Sequence, residues 1–313
     1  MGRARGSDAT MQLAYEQAFG TPPASDFARL PFVSSALGAT RGLIESDLIG
    51  QGRRPFDPTQ DVVVNDGDVV VPIDLTHFGY WLKLLFGPPN TTGSAPLYNH
   101  EFSTRDADLP SASIAIGHPK VPSYSINYGV RANTLRVNQQ RSGLLNATIG
   151  CIAKGETTPG GTSSLPAPGA IAAPIRFAQA AGSVSIDGAP IASVVDGSFS
   201  YSNNLDKIET IQPDGEIEGA DPGMPAASGQ VRLRFADHTL LNKAIAGEPV
   251  RLTHTWSGPA ASYFAIEFPR IFLPRPKRTI DGPGGIMAAF DWQASGQDGP
   301  LAVAALNCPV ASY

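Results

Sequence analysis

The chain has 313 residues, a formal net charge of -5, 42% hydrophobic residues and only 16% charged ones. That length suits one large or two medium domains with a sizeable core, and the acidic balance excludes a protein that grips nucleic acid through bulk charge. Glycine (33) and proline (28) exceed average usage but fall short of a collagen or a disordered chain, which suits many short strands and turns.

The first fifteen residues, MGRARGSDATMQLAY, carry two arginines but no apolar core of a secretory signal. Gly6 stands where a myristoylation motif wants Ser or Thr. The longest apolar stretch, residues 78–86, includes Lys83 and is too short to span a membrane. These features predict a soluble chain made in the cytoplasm.

Strand signals dominate from there. Residues 32–36 and 42–48 read as strands. Residues 61–73, DVVVNDGDVVVPI, place two valine-rich runs around Asn65-Asp66-Gly67-Asp68, which predicts a hairpin. In 76–86, Phe78, Trp81, Leu82, Leu85 and Phe86 share one helical face. Asp74 or Thr76 can cap that helix, and Gly87-Pro88-Pro89 ends it. Residues 144–152 read as another strand. Residues 157–174 are small, polar and proline-rich, the composition of a linker. Strands follow at 183–186, 197–201 and 230–235. A second helix covers 237–246, with Asp237 as cap and Gly247 as stop, and strands at 263–268 and 287–292 close the chain.

The linker sits mid-chain and the elements around it repeat. Each half runs strand, strand, polar stretch, strand, helix. Gly42 to Gly87 spans 45 positions and Gly197 to Gly247 spans 50. After each helix, Ser111-Ala112-Ser113-Ile114-Ala115-Ile116 resembles Ala261-Ser262-Tyr263-Phe264-Ala265-Ile266. Further on, Gly143-Leu144-Leu145 resembles Gly285-Ile286-Met287. The expectation is a mainly β protein with a duplicated unit, each copy carrying one flanking α-helix.

A search for reactive constellations returns little. The histidines, His77, His100, His118, His238 and His254, stand apart from each other at no ligand spacing. His77 and His238 occupy matching first-turn positions of the two helices, which favours a structural role. Cys151 and Cys308 are too few for a disulfide framework and are read as thiols in a reducing compartment. No nucleophile elbow, P-loop or dinucleotide fingerprint occurs, so no cofactor, metal or catalytic residue is expected. Carboxylates cluster in two loops: Asp57, Asp61, Asp66 and Asp68, then Asp206, Glu209, Asp214, Glu216, Glu218 and Asp221. They read as solvated loop charges or as a surface that repels polyanions. A glycosidase would need a pair of carboxylates across a sugar cleft, and no aromatic platform lies close by in these loops. Arg53-Arg54 and Arg275-Pro276-Lys277-Arg278 are short basic clusters that suit interface salt bridges or solvated loops.

The opening Thr10-Met11-Gln12-Leu13-Ala14-Tyr15-Glu16-Gln17-Ala18-Phe19-Gly20-Thr21-Pro22 resembles the start of tail tube proteins from long-tailed phages and prophages, with Phe19 where the family usually has Tyr. Ser46-Asp47-Leu48, Arg54-Pro55-Phe56-Asp57-Pro58, Val71-Pro72-Ile73-Asp74 and Tyr98-Asn99-His100-Glu101-Phe102 are similar to the same family. So are Gly182 to Gly188 and Phe199-Ser200-Tyr201-Ser202-Asn203-Asn204-Leu205. The resemblance implies a β-sandwich or barrel domain that self-associates into rings, which stack around a lumen conducting DNA. It implies further tail partners: terminator, tape measure and distal tail proteins. It also implies a virion location, with a flexible, non-contractile tail. Combined with the repeat, it implies tandem tail-tube domains at 1–156 and 175–313 joined by the 157–174 linker, and a trimer with pseudo-sixfold symmetry. Loops 48–68 and 206–228 would then reach the next ring, making Arg53, Arg54 and the ten loop carboxylates above candidate stacking residues. The helices would cover the outer face of each sheet, and strands 69–73 and 230–235 would belong to the barrel wall. The competing reading is a carbohydrate-binding or carbohydrate-active β-sandwich, which needs exposed aromatics on a flat face.

Overall fold

Strands make up most of the ordered chain, as the β-branched and aromatic runs predict. The structure, a computed structural model, describes residues 3–104, 109–161, 171–191, 193–234, 238–276 and 286–313. In the first half the strands are β1 (Thr10–Tyr15), β2 (Ala28–Leu30), β3 (Ser34–Ser35), β4 (Gly38–Ile44) and β5 (Thr59–Pro72). After helix α1 (Phe78–Phe86) come β6 (Asn90–Ser94), β7 (Leu97–Ser103), β8 (Ala112–Gly117), β9 (Tyr124–Gln139), β10 (Asn146–Ala153) and β11 (Gly155–Glu156). The second half holds β12 (Gly182–Ile186), β13 (Ala189–Pro190), β14 (Val194–Ser202), β15 (Asp206–Ile208), β16 (Gly219–Asp221) and β17 (Ala226–Arg234). After α2 (Thr239–Ala246) come β18 (Val250–Ser257), β19 (Tyr263–Phe272), β20 (Met287–Ala294) and β21 (Val303–Cys308).

The predicted hairpin at residues 65–68 is absent: β5 runs unbroken through it. Every residue from Asn65 to Pro72 is paired antiparallel with β10. Gly67 serves a different purpose there. Its φ is +155°, and a Cβ would collide with the backbone of Ala36 and Leu37, where β3 hands over to β4. The glycine admits a close backbone approach instead of a turn.

The sequence pattern also misses β9. Sixteen residues long, it is broken up by Asn127, Arg131, Asn133 and Thr134, so no clean alternation shows. The strand bends at Gly129, whose φ is +63°, and thereby serves two ladders. Its first part pairs with β8, and its second with β10 on one side and β14 on the other.

A series of five pairings recurs in both halves, although it sets β8 opposite β18 and not opposite β19, where the match of 111–116 with 261–266 puts it. In the first, β1 pairs with β8, β8 with β9, β9 with β10, β10 with β5, and β5 with β4. In the second, β12 pairs with β18, β18 with β19, β19 with β20, β20 with β17, and β17 with β14. α1 follows β5 and α2 follows β17. The halves are joined rather than strung apart: β9 pairs with β14, and β7 with β21. A single apolar core draws residues from both.

Asp74 braces the turn that leads into α1 by accepting the N–H groups of Thr76 and His77, each at 2.7 Å, while the N-cap position itself is His77. α1 lies within the core, packed against β9 and β7. Phe78, Trp81, Leu82, Leu84 and Leu85 are all buried, and Phe78 meets Phe264 of the second half edge-on at 5.3 Å. A nearly all-apolar helix has no wet side to offer, so the core closes around it. The Asn203 amide ties the halves together. It donates to Leu85 O at the helix end and to Ala132 O of β9, each at 3.0 Å, and accepts from the Tyr201 hydroxyl at 2.7 Å. Asp237, the expected cap of α2, and the middle of the 157–174 stretch lie outside the described residues. The flanks of that stretch are held by the first half. Thr157 N donates to Ile126 O, Gly160 N to Tyr124 O, and Leu75 N to Ile175 O.

Candidate functional site

The ladders place β4, β5, β10, β9, β14, β17 and β20 side by side in one sheet. Its two faces differ sharply. One carries Val69, Val71, Ala147, Ile149, Leu135, Val137, Phe199, Tyr201, Val231, Phe290 and Trp292, all buried in the core. Because side chains alternate along a strand, the intervening residues form the other face. Register aligns them in rows. Val70, Thr148, Arg136, Ser200, Ser228 and Gln293 make one row, while Asp68, Gly150, Thr134, Ser202 and Ala226 make the next. A third runs Asn138, Ser198, Gln230 and Asp291. Serine, threonine, asparagine and glutamine predominate.

Two arginines on this face are each paired with a carboxylate. Arg136 Nη2 donates to both carboxylate oxygens of Asp68, at 2.8 and 3.0 Å, reaching across Gly150, which has no side chain in the way. Arg232 is paired with Asp196, its direct cross-strand neighbour, through Nε at 2.9 Å and through Nη2. Asp291 accepts from the Gln230 amide at 2.7 Å.

Two loops leave one end of this sheet. Between β4 and β5, residues 45–58 extend as an arm whose tip bears Arg53, Arg54 and Asp57, all exposed. Ile49 is 96% exposed and Leu48 65%. Asp61 lies at the arm's base, its Oδ1 accepting from Val62 N at 2.8 Å. The second loop, between β14 and β17, folds back onto that base, so it does not project as the sequence suggested. Gly215 O accepts from Val63 N at 2.9 Å, and Lys207 Nζ reaches Asp66 at 2.8 Å. Leu205 and Ala220 are buried with Ile152 and Leu109 in a satellite core.

The second set of carboxylates is accordingly used inside the loop. Glu216 accepts the Tyr128 hydroxyl at 2.5 Å. Burial first, and that carboxylate second, push the Tyr128 hydroxyl pKa well up. Asp214 accepts Glu216 N at 3.0 Å, and Glu218 the Thr210 hydroxyl at 3.1 Å. Asp206 and Asp221 face each other across β15 and β16, with Arg131 3.9 Å from Asp221. Glu209 stays exposed beside a groove of about 330 Å³ between this loop and the first part of β5. The structure thus gathers Asp66, Asp68 and the second loop at one end of the sheet, and leaves Arg53, Arg54 and Asp57 further out on the arm.

Sequence reading missed Asp196, Arg136, Arg232 and Asp291. The signal was present in the alternation of Ser198, Ser200 and Ser202 with Phe199 and Tyr201, but pairing partners were needed to build a face from it.

His254, His100 and His77 are held in structural contacts. His254 is fully buried, with Nδ1 2.9 Å from Gln139 Oε1, and burial pushes its pKa down to about 4. His100 Nε2 lies 2.7 Å from Val310 O, and its Nδ1 lies 2.8 Å from the Thr91 hydroxyl. His77 Nδ1 is 3.2 Å from Asp74. Cys151 and Cys308 are free and buried, and burial raises the Cys151 thiol to about 12, so it is an inert core thiol. Among the described residues no group of His, Cys, Asp and Glu could hold a metal ion. Trp81, Trp256 and Trp292 are all buried, so none of them offers a platform for a sugar. No helix among the described residues is long and apolar enough to cross a membrane.

The family model described as phage tail tube protein matches residues 6–294. The chain belongs to that family. No curated protein matches it. Phage tail tube proteins form a structural, non-enzymatic family of virion components, and the β-rich fold agrees with this membership.

Proposed function

We propose that this chain is the major subunit of a phage tail tube, and that three copies close a ring whose channel conducts DNA during ejection. The observation that carries the reading is the two-faced sheet with open edges. Among the described residues, the outer edges of β4 and of β20 along 287–292 have no ladder partner. Such edges are templates for pairing with another chain, and ring closure removes them. β4 of one copy would then pair beside β20 of the next, with the polar face inward. Three copies contribute 21 strands. At about 4.8 Å between strands and a tilt of about 40°, they close a barrel roughly 40 Å across. Barrels of about 8 strands are filled by side chains, whereas those of 16 or more leave a channel, so one copy alone could not conduct anything.

The shared pairings of the two halves support duplication of a tube unit, with tandem domains at 1–156 and 175–313. Two units per chain account for three copies in place of six. Rings would stack head to tail, with the arm at 45–58, and its Arg53, Arg54, Asp57, Leu48 and Ile49, reaching the next ring. Asp61, Asp66, Asp68 and the second loop's carboxylates would line that junction. Terminator, tape measure and distal tail proteins would meet the ends of the stack in the assembled virion. Negative-stain microscopy of concentrated protein tests this. Rings or tubes with a central hole are expected; a chain that stays monomeric, even with its tail partners, rejects the reading.

A further inference from the structure

We propose that Arg136 and Arg232 on the polar sheet face are masked by carboxylates held in register, so that duplex DNA meets neither of them as a free guanidinium. The proposal rests on the reading that this face lines the channel. A polyanion binds where cations displace its condensed counterions, and each phosphate neutralised adds to the affinity. Four arginines stand on the described face: Arg136, Arg232, Arg131, which lies under the second loop and donates to Ala220 O, and, at the end away from the arm, the exposed Arg234. A wall of small hydroxyl and amide side chains does not require arginine for solubility. Where arginine occurs in the body of the sheet, its guanidinium is occupied.

The two pairs are built differently, and both depend on backbone placement. Asp196 faces Arg232 directly across the β14–β17 ladder. Asp68 and Arg136 are two strands apart and one row out of step. At Gly150 a Cβ would crowd Thr134 Oγ1 and Asp68 Oδ1, and both carboxylate oxygens accept from one guanidinium nitrogen. Asp291 offers an internal comparison. It carries the same charge on the same face, but its hydrogen-bond partner is the neutral Gln230 amide. An exposed ion pair contributes little to stability, so these pairs are better explained by what they hide from solution than by what they hold together.

The test uses the full chain and a long duplex DNA, followed by mobility shift over a salt series. On free subunits the face is open to solution, so the measurement does not depend on ring formation. Asp68→Asn with Asp196→Asn should bind duplex where the parent chain does not. The slope of log affinity against log salt should steepen by up to about 1.8 per chain, near 0.9 for each freed arginine. Either single substitution should give half the change, which keeps the test usable if the pair fails to fold. Adding Arg136→Gln and Arg232→Gln should restore the parent behaviour, and Asp291→Asn should leave the slope unchanged. An equal change in Asp291→Asn would mean that net charge alone matters, and no change in the double variant would mean that nothing is masked; either result overturns the proposal. Microscopy of the parent chain decides the tube reading separately, since masking can fail in a protein that still forms rings.

Discussion

Acidification should loosen the seam between the two halves through His254. The ring is fully buried and stacks near Phe199 at 5.3 Å and Trp256 at 6.2 Å between centroids. Its Nδ1 contacts Gln139, the β9 residue that pairs with Gly197 of β14. Nε2 has no hydrogen-bond partner, so the neutral imidazole is the form this site accepts. Burial lowers the pKa from 6.5 to about 4. The unfolded chain therefore binds the proton first as pH falls. Stability from the neutral ring is fully present above pH 6.5, declines below it, and is lost by pH 4. Between pH 7 and pH 5 the loss comes to about 2 kcal/mol. Urea unfolding at the two pH values measures it, with His254→Gln as the reference. The variant is expected to be less stable at pH 7 but to lose about 2 kcal/mol less on moving to pH 5. An unchanged difference between the two pH values would refute the reasoning, because other groups would then carry the pH dependence.

Four further outcomes follow from the structure. Asn203→Ala should cost about 2–3 kcal/mol in chemical denaturation, because Leu85 O and Ala132 O lose their donor inside the protein; a loss under about 0.5 kcal/mol would mean that this tie is dispensable. Gly67→Ala should cost at least about 2 kcal/mol in the same assay, from backbone strain and collision with Ala36, and a neutral outcome would contradict the close approach. Replacing residues 46–57 with a short Gly-Ser turn should leave the melting temperature nearly unchanged while preventing ring stacking in microscopy. Removing 203–225 should instead destabilise the fold, since Leu205 and Ala220 are core residues there. Tubes forming without the arm would remove it from the stacking role.

Much of the fold was legible because local signals and tertiary pairing agreed. The apolar face of 76–86, with Asp74 ahead of it and Gly87 behind, marks α1 whatever surrounds it. The second-half strands at 183–186, 197–201, 263–268 and 287–292 were found where expected, as the alternation of Ser198 to Ser202 suggests, whereas β18 and β21 were missed. The failures lie where long-range contact decides. Asn65-Asp66-Gly67-Asp68 looks like a turn because the same residue types suit turns and close backbone approaches. Only the chain passing at Ala36 distinguishes the two. β9 was hidden because a strand shared by two ladders changes its buried face at Gly129, which erases the period. The site was half legible. The acidic residues stood out by clustering, but Asp68 and Asp196 matter through Arg136 and Arg232, partners 68 and 36 positions away. No spacing rule links residues brought together by register. The second loop illustrates the converse: its composition suggested a free loop, yet Leu205 and Ala220 give it a core of its own.

The most direct test of the tube assignment is a cryo-electron microscopy map of the assembled protein. Three copies per ring, with β4 of one beside β20 of the next and Asp68, Arg136, Asp196 and Arg232 facing an open channel, are the expected result. A closed particle without a channel, or a ring whose inner wall carries the apolar face, would contradict it.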